Sequence, residues 1–148
     1  MPKVLITKEF HFEMAHALWN YDGLCKNIHG HSYILFVTVS GEPISDINSK
    51  KTGMLIDFGD MGNIINKEII SKFDHSLTLN EKSVDNGFFE NSEMFERIHL
   101  VPFQPTCENL VLYFAELLKN KFPENVILNK IKLHETTTSF AEFYPGDI

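Results

Sequence analysis

Two stretches near the start of the chain alternate apolar and polar residues with a period of two, and this pattern constrains the fold more than any other feature. In the first, Lys3 to Leu18, the side chains of Phe10, Phe12, Met14 and His16 fall on one side of an extended strand and His11, Glu13 and Ala15 on the other. In the second, about His29 to Ser40, Tyr33, Leu35, Val37 and Val39 share a face with His29 and His31. The residues between them include Asn20, Asp22, Gly23 and Asn27, which suit a turn or loop. The pair reads as an antiparallel hairpin with a long connection.

Beyond Gly41 comes a polar loop, then the short apolar run Gly53-Met54-Leu55-Ile56-Asp57-Phe58. The spacing of Met61, Ile65, Ile69 and Lys72/Phe73 predicts a helix from about Asp60 to Phe73, with Gly62 weakening its first turn. Residues 80–98 are polar and acidic without a period and read as a long loop, followed by a short strand at His99 to Phe103. Thr106 is a suitable N-cap for a second helix, in which Leu110, Phe114, Leu117 and Leu118 recur at helical spacing before Pro123 ends it. Strands at Val126 to Glu135 and Ser139 to Tyr144 close the chain, and Ile131, Leu133 and Glu135 share one face of the first. The order strand, strand, helix, helix, strand, strand predicts an α+β fold, an antiparallel sheet with both helices on one face. At 148 residues the chain reads as one domain, residues 1–148, large enough to bury a core without disulfides.

Charge and cysteine usage narrow the function classes. Thirteen basic residues against twenty acidic ones give a net charge of −7, which argues against general nucleic-acid binding. No apolar run approaches the ~20 residues of a membrane span, and Met1 to Thr7 lacks the pattern of a signal peptide. Cys25 and Cys107 are far apart and form no Cys-x-x-Cys motif, so a reducing, cytoplasmic setting is expected.

Chemistry concentrates at the end of the predicted hairpin. His29 and His31 project from one face of their strand, and His16 ends the inward-facing row of its neighbour, so three imidazoles can meet. Three histidines with a fourth position free fit a catalytic zinc arrangement. Spacing alone leaves open a coincidental His-x-His pair and a rim histidine. Gly30, between the two strand histidines, would let backbone or ligand approach closely. Cys25 lies four residues before His29, where a nearby cation would raise its thiolate fraction, making it a general base or nucleophile, or else a half-buried loop cysteine. Cys107 reads as packed. Asp74-His75 is either a carboxylate–imidazole pair or a histidine at a helix C-terminus interacting with the dipole. Glu135, on an apolar strand face, needs a partner or ligand unless the strand end reaches solvent. His11, His99 and His134 read as structural or surface residues.

Taken in order, Phe10-His11-Phe12-Glu13-Met14-Ala15-His16, Cys25-Lys26-Asn27-Ile28-His29-Gly30-His31-Ser32-Tyr33, Gly53-Met54-Leu55-Ile56-Asp57-Phe58, Phe73-Asp74-His75, Leu79-Asn80, Pro105-Thr106-Cys107-Glu108-Asn109 and His134-Glu135-Thr136 resemble the 6-pyruvoyltetrahydropterin synthase family, and within it the 6-carboxytetrahydropterin synthase branch. The resemblance covers about Phe10 to Tyr144. It implies the tunnelling fold, a ββααββ unit, three of which close a twelve-stranded barrel, with two barrels stacked as a homohexamer, a dimer of trimers. It implies zinc on His16, His29 and His31, a catalytic Cys25 with the Asp74–His75 pair, and a substrate, 7,8-dihydroneopterin triphosphate, held through Glu135 and Thr106 in sites between subunits. The branch implies 6-carboxy-5,6,7,8-tetrahydropterin, acetaldehyde and triphosphate as products, on the route to queuosine. The alternatives are 6-pyruvoyltetrahydropterin synthase activity and a non-catalytic zinc- or pterin-binding oligomer. A zinc hydrolase is disfavoured by the lack of a His-Glu-x-x-His motif. The loop at about Glu81 to Arg97 departs from compact family members in length and acidity, and no motif supplies a named cation for triphosphate.

Overall fold

The computed structural model describes residues 2–85, 87–89 and 92–146. Alternation becomes structure in β1 (Val4–His16) and β2 (His29–Gly41), which pair antiparallel in unbroken register from Val4↔Gly41 to His16↔His29. Phe10, Phe12, Met14 and His16 are buried while Glu9, His11 and Glu13 are exposed, as period two requires. Phe12 and Tyr33 face each other in this register, and their rings stack at 5.1 Å.

The first helix starts earlier than the apolar spacing indicates, because Asp57 accepts from the Gly59 and Asp60 N–H groups and caps it. This α1 (Phe58–Ile65) passes into a π-helical segment (Asn66–Ile70) and a last α-helical turn (Ser71–Phe73). Met61, Ile65, Ile69 and Phe73 are its buried stripe, with Lys72 turned outward. Ser76–Asn80 then forms a strand, β3, which hydrophobic patterning does not reveal, and Ile98–Val101 forms β4. The second helix, α2 (Cys107–Leu118), is capped by Thr106 and buries Leu110, Val111, Phe114, Ala115 and Leu118. Strands β5 (Ile127–His134) and β6 (Phe140–Phe143) complete the chain.

The sheet has six strands in the order β4-β3-β1-β2-β5-β6. The pairs β1–β2, β2–β5 and β5–β6 are antiparallel, whereas β1–β3 and β3–β4 are parallel. The sheet is therefore mixed rather than antiparallel, a correction with a clear origin. All five residues of β3 are buried, so the strand shows no alternation, and its Ser76 and Thr78 mimic a loop composition. Ser76 satisfies its hydroxyl on the Phe73 carbonyl at 2.6 Å. Parallel neighbours need a crossover of a dozen or more residues, which accounts for the length of the connection at 81–97. Its described residues hold two short 3₁₀ turns, Glu81–Ser83 and Glu93–Phe95, while residues 86, 90 and 91 of the predicted loop lie outside the described residues.

The buried residues of α1 and α2 join those of β1, β2 and β5 in one apolar cluster, in which Phe114 meets the edge of Phe12 at 5.9 Å. At the end of β2, Gly41 is buried against the Asn125 carbonyl, and a Cβ there would also lie 2.5 Å from Leu55 Cδ1. Gly41→Ala must displace backbone, not a flexible side-chain tip, and is expected to cost ~1–3 kcal/mol. Urea unfolding will show this as a lower midpoint at unchanged m-value.

Candidate metal centre and the adjoining acid–base pair

The register that ends at His16↔His29 brings three imidazoles together, because His31 lies two residues along the same face. Ring centroids are 4.6 Å apart for His16–His29, 5.1 Å for His16–His31 and 5.0 Å for His29–His31. Two of the rings have their tautomers fixed from behind. His16 Nδ1 donates to the Pro105 carbonyl at 2.7 Å, and His29 Nδ1 donates to the Asn27 carbonyl at 2.7 Å. Each then presents an Nε2 lone pair, and these two atoms face each other at 3.1 Å. Burial pushes the His16 pKa below its ordinary value, only partly offset by the Pro105 carbonyl and Glu135, so the neutral, ligand-competent imidazole is favoured.

Glu135, one residue past β5, completes the group. Its Oε1 lies 2.9 Å from His31 Nε2 and 3.6 Å from His16 Nε2. The shorter contact is close without hydrogen-bond geometry, and His31 Nε2 is buried with no hydrogen-bond partner. One ligand atom from each of His16, His29, His31 and Glu135 lies within 4.8 Å of the other three. Facing lone pairs and an unsatisfied buried nitrogen are costly unless a cation sits among them. The four residues could hold a metal ion, and three nitrogens with one carboxylate suit a divalent transition metal. The sequence signals Glu135 only as a carboxylate in need of a partner; its approach to the histidines follows from the β5–β6 turn, where its N–H donates to the Ser139 carbonyl at 3.0 Å.

The other site candidates surround this group. Cys25 sits in a 3₁₀ turn, Leu24–Lys26, half-buried and outside the four-residue cluster. Its carbonyl accepts from the Leu18 N–H at 2.9 Å. The Gln104 side chain holds the same loop by accepting from the Trp19 N–H at 2.9 Å and donating to the Trp19 carbonyl at 2.8 Å. Thr106 is engaged as N-cap, accepting from the Asn109 N–H at 3.2 Å. Cys107 is packed, its thiol donating to the Leu133 carbonyl and pushed up to about 11 by burial. Gly30 is not required by packing, since a Cβ there meets only the Met14 carbonyl at an ordinary 3.6 Å.

Asp74 and His75 do touch, which adjacency in sequence cannot guarantee. His75 Nδ1 lies 3.0 Å from Asp74 Oδ1, which also accepts the Glu13 N–H at 2.9 Å. That backbone N–H is the main reason the Asp74 carboxyl titrates below its usual range, with His75 adding to it. His75 adopts φ 59°, a left-handed conformation costing a non-glycine residue ~1–2 kcal/mol, and its N–H donates to the Glu13 carbonyl at 2.6 Å. Among the described residues neither Asp74 nor His75 hydrogen-bonds or ion-pairs with the histidine group. His75 and His31 nevertheless line one open cleft of about 420 Å³, with Glu13, Ala15, Gly30 and Ser32. The residues that patterning misses here act through backbone: the carbonyls of Asn27 and Pro105 carry no residue-type signature.

The chain matches the 6-pyruvoyl tetrahydropterin synthase family over residues 5–146. It is 34% identical over 140 residues to the 6-carboxy-5,6,7,8-tetrahydropterin synthase of Haemophilus influenzae, covering 93% of this chain and 96% of that one. It is 31% identical to the protein of the same name from Aquifex aeolicus, covering 93% and 96%. The 6-pyruvoyl tetrahydropterin synthase structure from Caenorhabditis elegans superposes with a TM-score of 0.70 at 24% identity, covering 99% of this chain and 98% of that one. An uncharacterized Wolinella succinogenes protein gives 0.78 at 20% identity, covering 98% and 99%. The fold resemblance and the near-complete sequence match agree: this chain belongs to the 6-pyruvoyl tetrahydropterin synthase family.

Proposed function

We propose that the protein is a zinc-dependent lyase that converts 7,8-dihydroneopterin triphosphate and water to 6-carboxy-5,6,7,8-tetrahydropterin, acetaldehyde and triphosphate, as a single-domain cytoplasmic enzyme of queuosine synthesis. The observation that carries the metal-dependent reading is the gathering, within 4.8 Å of one another, of two tautomer-locked Nε2 atoms, a His31 Nε2 with no hydrogen-bond partner and the Glu135 carboxylate. The choice of product is supported by relatives that bear the 6-carboxy name and by the three residues between Cys25 and His29, a spacing associated with that branch.

His16, His29 and His31 would hold the zinc. Bound there, it would supply a Lewis acid for the vicinal hydroxyls of the substrate side chain, acidifying the adjacent carbon-bound proton. Cys25, as thiolate, takes that proton, and His75 relays another. Asp74, whose Oδ1 lies 3.0 Å from His75 Nδ1, orients the ring and leaves its opposite nitrogen for proton transfer. An ionised Glu135 is acceptor-only and complements the donor edge of the pterin amino-pyrimidine; to reach it, the carboxylate must turn away from His31. Thr106 would stand beside the substrate while capping α2. A storage or sensing oligomer would need neither Cys25 nor the Asp74–His75 pair. The gap of three residues also separates this reading from 6-pyruvoyltetrahydropterin synthase activity, because a displacement of ~1 Å at the reacting group can change rates ~100-fold.

The sheet ends in β4 and β6, and unpaired strand edges are pairing templates. The same reading therefore includes the barrel-forming homohexamer of the tunnelling fold, a dimer of trimers whose sites draw on neighbouring chains. Light scattering at micromolar concentration is expected to give the hexamer mass; a monomer would remove the shared-site part of the proposal.

Elemental analysis should find one zinc per chain, with most of it lost in His29→Ala; full occupancy in that variant would exclude the assigned ligands. Incubation with dihydroneopterin triphosphate, followed by mass spectrometry and an acetaldehyde trap, identifies the reaction. Cys25→Ala is expected to retain zinc and lose ~10²–10⁴-fold in turnover. Accumulated 6-pyruvoyltetrahydropterin with an empty trap would assign the protein to the other activity.

A further inference from the structure

The helical run that begins with α1 ends without the glycine that commonly closes a helix. Asp74 is extended at φ −62°, ψ 128°, and His75 follows in the left-handed region at φ 59°. The carbonyls left over at such an end need donors. They are met from a distant part of the chain. Arg97, at the close of the β3–β4 connection, donates from Nη2 to the carbonyls of Ser71 at 2.7 Å, Lys72 at 3.1 Å and Asp74 at 2.9 Å. Its Nε donates to the Asp74 carbonyl again at 3.1 Å. His99 Nε2 adds a bond to the Lys72 carbonyl at 2.7 Å.

We propose that Arg97 is a positioning residue for the Asp74–His75 pair, and that the long β3–β4 connection serves to deliver its guanidinium to that corner. The inference rests on reading this pair as the proton-transfer machinery. Five features support it. The corner is held from one side by β1, through the Glu13 N–H and carbonyl, and from the other by Arg97 and His99, beside the local bonds of the Asp74 N–H and the Ser76 hydroxyl. Arg97 is itself anchored, since its carbonyl accepts the Leu77 N–H at 2.9 Å, two residues beyond His75. The positive guanidinium also lies at the negative end of the helix, where a cation is favoured. The arrangement suits arginine: Nε and Nη2 of one planar group reach three carbonyls, whereas a lysine ammonium is a point charge. Arg97, Glu93, Met94 and Glu96 line a second cleft with His75, so the connection also forms one wall beside the imidazole.

The test combines variants with a readout that does not need turnover. Arg97→Ala and Arg97→Lys should both bind zinc as the parent does. Amide hydrogen exchange at His75, followed by NMR, should accelerate at least ~10-fold in Arg97→Ala, with Arg97→Lys rescuing it only in part. Unchanged exchange at His75 in both variants would overturn the proposal. In turnover, Arg97→Ala should lower kcat ~10–100-fold with KM within about twofold. Placed on His75→Ala, it should cost less than about twofold more, because a residue acting through His75 has nothing left to position. Additive losses would make Arg97 a merely structural staple and overturn the proposal. If the parent protein does not turn over dihydroneopterin triphosphate, the functional reading fails by itself, and the exchange experiment still decides for or against Arg97.

Discussion

The thirteen-residue ladder between β1 and β2 sets the position of the three histidines. A slip of one residue would carry Phe10, Phe12, Met14 and His16 to the outer face and take His16 away from His29 and His31. The cost of such a slip is set by the core, not by the histidines. Phe12 on Tyr33, closed by Phe114, fixes the register one layer below the imidazoles. Tyr33 also stands directly under the group, 6.2 Å from the His16 ring and 5.6 Å from His31. Burial drives its phenol pKa upward, so it remains a neutral floor under the donor atoms. Core packing and ligand placement are thus one constraint expressed at two depths.

A second dependence runs through the segment before α2. The Pro105 carbonyl orients His16, Thr106 caps the helix, and the Gln104 side chain holds the loop that carries Cys25. Three successive residues therefore tie one histidine, one helix and the thiol loop to each other. Ordering them costs conformational entropy, which the burial of Leu110, Phe114 and Leu118 on the same helix offsets. Helix α2 holds the site still without presenting any group of its own to the metal position.

How much of this was legible in the sequence depends on where the signal lives. β1, β2 and the histidine triad are readable because side-chain period two is a direct consequence of strand geometry. The stripe Met61, Ile65, Ile69 and Phe73 is readable for the analogous helical reason. β3 is not, because a strand buried on both faces has no alternation to detect, and its polar Ser76 and Thr78 find partners in the Phe73 carbonyl and the Met14 sulfur. The mixed sheet follows from β3, and the length of the 81–97 connection follows in turn from the parallel pairing. The contact between Asp74 and His75 depends on a positive φ at His75, which residue types alone do not specify. The turn of Glu135 toward His31 depends on the hairpin after β5, so its place among the donors emerges only from the folded chain.

The two chemical groups are attached to one strand in different ways. His16 belongs to the buried row of β1, while Asp74 and His75 are pinned to that strand's edge at Glu13, a residue of the exposed row. Asp74 and His75 bind the Glu13 backbone N–H and carbonyl, which lie in the plane of the sheet, whereas His16 projects from its buried face. The cleft shared by His31 and His75 is lined between them by the small residues Ala15, Gly30, Ser32 and Ser76 together with Glu13 and Met14. Within the donor group His16 is buried at 1% exposure and His29, His31 and Glu135 are half-buried, while the His75 side chain is 75% exposed. A buried imidazole such as His16 favours the neutral, ligating form, and an exposed imidazole favours proton exchange with what lies outside the chain. The same strand that keeps the two apart also fixes both, so their spacing is set by backbone pairing rather than by any side chain that joins them.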